Sequence, residues 1–442
     1  VNAEAEQPYL TGYNGGYSNG FDAGFHQGYE AGVAAGHAEN GTLFSGTSIV
    51  IPTYNQLDYL KQCVQSIWAH TPEQVELIII DNGSVDGTEE WLKSEYKRLR
   101  YRLNKSNRGF AGAVNQGLRM ARGTTIVILN NDTLVTQKWL TNLLHCAYSS
   151  PYVGLVGPVT NYISGEQLIP THYKSIEEMF SFAEAYNNSN PAKWRNVSRI
   201  TGFCLMMRRE VFRKLGFFDE GFEIGNCEDD DYGVRARLLG YDLIVAEDTF
   251  IHHFGSVSIK AQDTRFEEFY QHNLDFFSKK WGDPHALVNE IACQGRTIRR
   301  TVDFYPTHMF VQGCSPNRYW IDNGVRYQSE LRSDLLPVIR VSQLDLKSWI
   351  KGEPYSNELS ERILETKNVN PELPLPDGCC VSDEEGRFYL VQQGQLRRFI
   401  THDAVQKWGM LERIRMVRDS NILDLPQGLP IIPPPIIMAD NI

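Results

Sequence analysis

Between residues 47 and 129 the chain repeats one pattern: a short apolar run, then a stretch whose apolar positions recur three and four apart. Thr47-Ser48-Ile49-Val50-Ile51, Val75 to Ile80 and Ile126-Val127-Ile128-Leu129 carry consecutive apolar, largely β-branched residues, as strands buried on both faces require. Tyr101-Arg102-Leu103 is a shorter strand of the same series. Between the strands, Leu57, Leu60, Cys63, Val64, Ile67 and Trp68 share one helical face. A second helix is expected behind Thr88, as N-cap ahead of Glu89 and Glu90, and a third from Ala111 to Met120. This alternation predicts an α/β fold with a mostly parallel sheet and right-handed crossovers.

Three of these strands stop abruptly in polar residues: Pro52-Thr53-Tyr54-Asn55, Asp81-Asn82-Gly83-Ser84 and Asn130-Asn131-Asp132. A parallel sheet lines such ends up on one rim, where open α/β sheets bind ligands. On that rim Asp81 suits a base N–H or a ribose hydroxyl, and Asp132 suits a hard cation holding a diphosphate. Taken alone, Asn130-Asn131-Asp132 is more simply an Asx turn closing a strand. Neither GxGxxG nor GxxxxGK[ST] follows these strands, which argues against a dehydrogenase and a P-loop enzyme.

Downstream lies the run Thr201-Gly202-Phe203-Cys204-Leu205-Met206-Met207-Arg208-Arg209. Gly216-Phe217-Phe218-Asp219-Glu220 and the run Cys227-Glu228-Asp229-Asp230-Asp231-Tyr232-Gly233-Val234-Arg235 follow it. Four successive acids repel one another, so at least one pKa should rise if they lie close, and the start of a helix would partly offset this. Read alone, the run is a solvated acidic helix start. Gly240 to Ala246 is a further strand before Ile251-His252-His253, and Tyr270 to Trp281 is an amphipathic helix that closes the domain.

From about Arg296 the pattern changes to short alternating runs, and two related units emerge. Tyr319 to Arg326 matches Phe388 to Arg397, and Val341 to Gly352 matches Val417 to Gly428. Asn323-Gly324 and Gln393-Gly394 between alternating runs signal β-hairpins, giving two β-rich repeats of roughly seventy residues. Tyr319, Trp320 and Tyr389 are expected to pack the hairpins rather than to bind glycan, and Pro426 to Pro435 to form an extended tail. At the other end, Gly12, Gly16, Gly20, Gly24, Gly28, Gly32 and Gly36 are each followed by an aromatic residue or, at the last two, by Val33 and His37. A period of four drifts slowly around a helix and would set an aromatic ridge beside a glycine groove. Each Gly costs about 1 kcal/mol against Ala there. Two readings stand for residues 9–37: a helix that docks or self-associates, and a flexible leader.

The bulk properties narrow the class. At 442 residues, 42% hydrophobic and 22% charged, the chain is a globular protein of several domains. No apolar run approaches the ~20 residues of a membrane span. The net charge of −11 argues against a nucleic-acid partner. Eight cysteines without CxxC spacing read as free thiols of a cytoplasmic, at most membrane-peripheral, protein.

The ordered elements SIVIPTYN, IIIDNGSVDGT, NRGFAGAVNQG and ILNNDT resemble the GT-A glycosyltransferases of family 2, especially the rhamnosyltransferase-like branch, and the likeness covers residues 46–260. It implies a Rossmann-like GT-A catalytic domain at 46–290, flanked by the repeat segment at 1–45 and the accessory repeats at 295–442. It also implies that Asp81 binds the nucleotide base, and that Pro52, Tyr54, Asn55, Arg108, Gly109, Asn115, Asn131 and Gly202 shape the nucleotide-sugar pocket. Asp132 would hold a divalent metal, Mn²⁺ or Mg²⁺, with His253 or His252; Asn130 stands where the family's DxD motif has its first carboxylate. Asp229 would be the general base, with Asp231 as second choice beside Glu228, and Lys260 would meet phosphate on a closing loop. The expected activity is inverting transfer from a UDP- or dTDP-sugar to a glycan or protein hydroxyl. The rivals are a non-catalytic glycan- or protein-binding factor on the same scaffold and a nucleotidyltransferase, which would need a Gly-rich basic first loop that PTYNQ lacks.

Overall fold

The strands beneath the polar rim come from the runs read above. The computed structural model describes residues 43–95, 97–255, 266–329, 336–353, 375–416 and 425–438. The repeat at 9–37, Lys260 and residues 417–424 lie outside them. β1 (Phe44–Thr53), β2 (Val75–Asp81) and β3 (Arg100–Leu103) pair in parallel, with Thr53 opposite Asp81. Six further strands follow: β4 (Gly123–Leu129), β5 (Thr133–Leu134), β6 (Val153–Val159), β7 (Trp194–Val197), β8 (Cys204–Arg208) and β9 (Asp242–Phe250). Apart from β5 they join β1–β3 in one sheet of order β3-β2-β1-β4-β8-β6-β9-β7. β8 is antiparallel to both β4 and β6, and β7 to β9, while β6 and β9 are parallel. The sheet is therefore parallel through β1–β3 and mixed beyond β4.

Alternate residues of each strand feed two cores, as pleating demands. Val50, Ile78, Ile80, Ile126 and Ile128 face one side, and Ile49, Ile51, Leu77, Ile79, Val127 and Leu129 the other. Helices α1 (Leu57–His70), α2 (Thr88–Ser94), α3 (Gly109–Met120) and α4 (Trp139–Ala147) supply the crossovers and the layer that follows. α3 lies so close to β1 that a Cβ on Gly117 would stand 2.2 Å from Val50 Cγ1. Thr88 is not the N-cap of α2: Gly87 takes that position with φ 90°, and the Thr88 hydroxyl instead donates to Asp86 at 2.6 Å. The second half adds α5 (Ile176–Tyr186), α6 (Arg209–Leu215), α7 (Glu228–Leu238), the two-residue β10 (His252–His253), α8 (Phe266–Trp281) and α9 (Pro284–Cys293). Among the described residues no helix is long and apolar enough to cross a membrane. All eight cysteines are free, and only Cys293 and Cys314 are exposed.

The accessory region holds two small sheets of related wiring. The first joins β11 (Met309–Gln312), β12 (Arg318–Asp322), β13 (Val325–Ser329), β14 (Val338–Arg340) and β15 (Ile350–Lys351); the second joins β16 (Cys380–Ser382), β17 (Phe388–Gln392), β18 (Gln395–Arg398) and β19 (Ile414–Met416). In each, an antiparallel three-strand meander takes a parallel fourth strand on its first member: β14 on β11, and β19 on β16. Asn323-Gly324 and Gln393-Gly394 have φ of 46° and 82°, and of 51° and 68°, the two left-handed positions of a type I′ hairpin. Trp320 and Tyr389 are buried in these hairpins.

The described residues from 46 to 438 form one compact unit. The physical reason is one continuous apolar cluster that runs from Val50 and Leu215 through Phe304 and Trp349 to Ile432. The Pro-rich end is not a loose tail. Ile431 and Ile432 are fully buried, the Trp408 indole donates to the Ile432 carbonyl at 2.7 Å, and Ile432 N–H donates to Phe304 at 3.1 Å.

Candidate active site

The rim above β1 and β2 is knitted by short polar side chains. The buried Asp81 carboxylate accepts from Ser84 N–H at 3.1 Å and from its hydroxyl at 2.5 Å. Burial raises the Asp81 pKa, and the Ser84 bonds oppose that rise. Asn55, at φ 55°, donates its N–H to Ser84 Oγ at 2.7 Å and accepts from Val85 N–H at 2.9 Å, which ties the first loop to the second. Pro52 is buried in β1 and Tyr54 half-buried on the loop. Asn82 donates to the Gly109 carbonyl at 3.0 Å and accepts from Arg108 N–H at 3.1 Å. That holds the start of α3, where Arg108 is exposed and Gly109 has φ 73°. Phe110 N–H in turn donates to the Ile224 carbonyl at 2.7 Å, joining this element to the loop ahead of the acidic run.

β4 ends in a turn pinned through its backbone: Asn130 N–H donates to Phe203 at 2.8 Å, and its carbonyl accepts the Thr133 hydroxyl at 2.9 Å. Asn131 donates its amide to Thr53 Oγ1 at 2.9 Å. β5 then pairs antiparallel with β10, with Thr133 opposite His253. This register brings His253 Nε2 to 3.1 Å from Asp132 Oδ1 across 121 residues of chain. His253 Nδ1 faces the Tyr162 carbonyl at 2.7 Å. A carbonyl only accepts, so Nδ1 carries the hydrogen and Nε2 is left to meet Asp132 with its lone pair or a proton. His252 alternates to the other side, where its Nδ1 meets the Tyr173 hydroxyl at 2.7 Å. Burial, then the neighbouring His253, lowers its pKa to about 4. The pair thus divides: His253 is beside Asp132, and His252 is a buried neutral partner of Tyr173.

Two electron-pair donors converging on one point fit a cation. No third His, Cys, Asp or Glu joins them in a metal-holding group among the described residues. A divalent ion there would have to complete its shell with further oxygen ligands, the habit of Mg²⁺ and Mn²⁺.

The acidic run opens α7 after a strained loop: Ile224, Asn226 and Cys227 have φ of 58°, 82° and 70°. Left-handed backbone costs a β-branched residue most, and such strain collects at functional sites. The four acids part company on the helix. Asp229 accepts from Gly202 N–H at 3.0 Å and from Asp230 N–H at 2.9 Å. Asp230 pairs with Arg199 at 2.5 Å; burial and then the Asp229 charge lift its pKa to about 7 against that pairing. Glu228 is buried with Oε2 unpartnered, and burial, followed by the Asp229 charge, pushes its pKa well up. Asp231 turns inward. It is fully buried, salt-bridged to Arg235 at 2.9 Å and to Lys280, and accepts from the Trp281 indole at 2.9 Å. Burial alone would raise its pKa, but Lys280 and Arg235 outweigh that and lower it. Asp231 therefore cannot serve as the second-choice base: its carboxylate is spent on the fold.

Asn115 is likewise a strut rather than a pocket residue. Its amide donates to the Phe218 carbonyl and to Glu220, both at 2.9 Å, and accepts from Phe218 N–H at 2.8 Å, all buried. Gly202 and Phe203 join the two clusters: Gly202 N–H holds Asp229, while the Phe203 ring stacks on His253 at 5.4 Å and 19°. Thr201 ahead of them is held by Gln167, through its N–H at 2.8 Å and its hydroxyl at 2.5 Å. Phe203, Gln167, Arg199 and the Tyr162 carbonyl escaped the sequence reading. None carries a local signal, since each acts on a partner more than twenty-five residues away.

Residues 48–216 match the model of the family "Glycosyl transferase family 2". Glycosyltransferase AglE of Haloferax volcanii is 26% identical over 211 residues, covering 47% of this chain and 66% of that protein. Glycosyltransferase GlyG of Streptococcus pneumoniae is 25% identical over 246 residues, covering 53% and 79%. The match to a Sinorhizobium fredii protein takes in only 27% of that protein, so the similarity spans part of some relatives' length. Among solved structures, the mannosyltransferase PcManGT from Pyrobaculum calidifontis, in complex with GDP-Man and Mn²⁺, is 21% identical with a TM-score of 0.36, covering 48% of this chain and 57% of that one. Asp81, Asn115, Asp132 and Gly202 fall inside the matched residues; Asp229 and His253 lie beyond them. Over residues 48–216, then, this chain is similar to glycosyl transferase family 2.

Proposed function

We propose that the protein is an inverting glycosyltransferase that moves a sugar from a nucleoside-diphosphate donor, of the UDP or dTDP type, to a hydroxyl of a glycan or protein acceptor. One observation carries the reading: Gly202-Phe203 joins the carboxylate of Asp229 to the His253–Asp132 pair, so a diphosphate-side group and an acceptor-side base share one support.

In this reading Asp81, held by Ser84, receives the nucleotide base, and the loops at 52–55 and 108–109 wall the pocket. Asp132 and His253 would hold the divalent metal, which when bound neutralises charge on the departing diphosphate. Asp229 accepts the proton of the acceptor hydroxyl as that oxygen bonds to the anomeric carbon and the bond to the diphosphate breaks. The N–H groups of Gly202 and Asp230 hold the Asp229 carboxylate in position for this. Asp230, paired with Arg199, and Glu228, whose pKa burial pushes up, limit the charge stacked beside the base. The Gly–aromatic repeat at 9–37 is assigned to self-association.

The test is a panel of nucleotide sugars, scored by thermal shift and then by product mass spectrometry, with Mn²⁺ and with chelator. A stabilising donor whose sugar appears on an acceptor with inverted anomeric configuration supports the reading. Binding without any transfer or hydrolysis across the panel and a broad acceptor set favours the glycan-binding rival.

A further inference from the structure

Helix α8 lies outside the family-matched residues, yet it grips the acidic run from both sides. Asn273 and Lys280, seven residues apart and so on one face, are both fully buried. The Asn273 amide donates to the carbonyls of Glu223 and Gly225 at 2.9 Å and of Asn226 at 3.2 Å, and its oxygen accepts from Glu223 N–H at 3.0 Å. One side chain thus satisfies the strained loop whose left-handed residues lead into α7. Two turns on, the Lys280 ammonium lies 2.6 Å from Asp219 and also pairs with Asp231, while Trp281 donates to Asp231 at 2.9 Å. Asp229 sits between these two grips.

The same helix is held from the accessory side. Thr401 donates its hydroxyl to the Lys280 carbonyl at 3.2 Å, and the Lys407 ammonium lies 4.3 Å from the centre of the Phe276 ring. The chain end completes the clamp: Ile436 N–H donates to Asp219 Oδ1 at 2.9 Å, Glu220 N–H to the Ile436 carbonyl at 2.9 Å, and Met438 N–H to Glu220 at 3.0 Å. A buried ammonium is tolerated only where its carboxylates are fixed, and here backbone from residues 436–438 helps to fix them.

We infer that Asn273 and Lys280 are positioning residues for Asp229, and that the second accessory repeat with the chain end holds them in place. The accessory region thereby sets the acceptor-side base. The inference rests on the glycosyltransferase reading for its catalytic consequence, but not for its mechanical one.

The experiment uses the full chain carrying Asn273→Asp, which keeps the volume but removes the amide donors from three carbonyls. Lys280→Met is the second, harsher variant. Cys227, buried at the start of α7, serves as reporter, and Cys63, buried against Thr133, as internal standard. In Asn273→Asp, native N-ethylmaleimide labelling read by peptide mass spectrometry should rise at least tenfold at Cys227 and stay flat at Cys63. The turnover number should fall at least thirtyfold, with KM for the donor within twofold of wild type. Unchanged Cys227 labelling, or unchanged turnover in an active protein, overturns the proposal. So does equal exposure of Cys63 in both variants, which would mean general unfolding. Labelling needs no sugar transfer, so a wild type that transfers nothing sinks the functional reading and leaves labelling to judge the brace.

Discussion

Asp229→Asn separates the proposed base from its neighbours more sharply than any other substitution. The wild-type carboxylate accepts one N–H on each oxygen, from Gly202 at 3.0 Å and Asp230 at 2.9 Å. An amide keeps one of these bonds and turns an NH₂ toward the other donor, costing about 1–3 kcal/mol for the buried mismatch. Against a typical stability of roughly 5–15 kcal/mol the variant stays folded. The catalytic loss is larger: a positioned base is worth about 10²–10⁴ in rate, which at ~1.36 kcal/mol per decade is about 3–5 kcal/mol. Single-turnover transfer at saturating donor should fall by that factor, while nucleoside-diphosphate affinity by calorimetry stays within twofold. Asp231→Asn should show the reverse emphasis. It leaves Lys280 and Arg235 short of a buried counter-charge, and breaking such a pair typically costs about 3–5 kcal/mol. Its melting temperature should drop well below that of Asp229→Asn. Turnover of Asp229→Asn within tenfold of wild type would refute the assignment of the base.

Asp132→Ala should abolish the gain in UDP or dTDP affinity on adding Mn²⁺; equal affinity with and without metal in the wild type would count against Asp132 and His253 as ligands. Asp230→Asn should gain stability over wild type as pH rises. The folded Asp230 titrates near 7 and the unfolded one near 3.8, so the native state alone stays protonated between them and wild-type stability falls across that window. Melting temperatures at pH 5 and 7.5 check this, and a difference that does not grow with pH would contradict it. Deleting residues 1–40 should lower the mass measured by light scattering if the Gly–aromatic repeat self-associates, and an unchanged mass would remove that role.

The strands and the rim were legible because their signal is local: an apolar run that stops in Asp81 or Asp132 states both the burial and the polar exit. The His pair was legible only as a pair. Successive strand residues point to opposite faces, so one histidine must leave the other's partner. The choice depends on the register of β10 against β5, which no window of sequence contains. Asn115 misled because the resemblance assigns the whole NRGFAGAVNQG element to the pocket, whereas Phe218 and Glu220 occupy its amide. The Pro-rich end misled because composition reads as a tail, whereas a partner such as Trp408 makes it core.

The acidic run was more decidable than it looked. Residues two apart on a helix point about 200° from one another, so Asp229 and Asp231 cannot both face the same side. Asp231 and Arg235 are four apart, the spacing of an intrahelical ion pair. A carboxylate with a built-in cation partner is the one to send inward, and that leaves Asp229 outward. What the spacing could not supply is Lys280, forty-nine residues further on, which makes the inward site strong enough to hold two carboxylates in a dry core. The family match over residues 48–216 therefore takes in Asp81 and Asp132, while the proposed base, Asp229, depends on chain beyond that match.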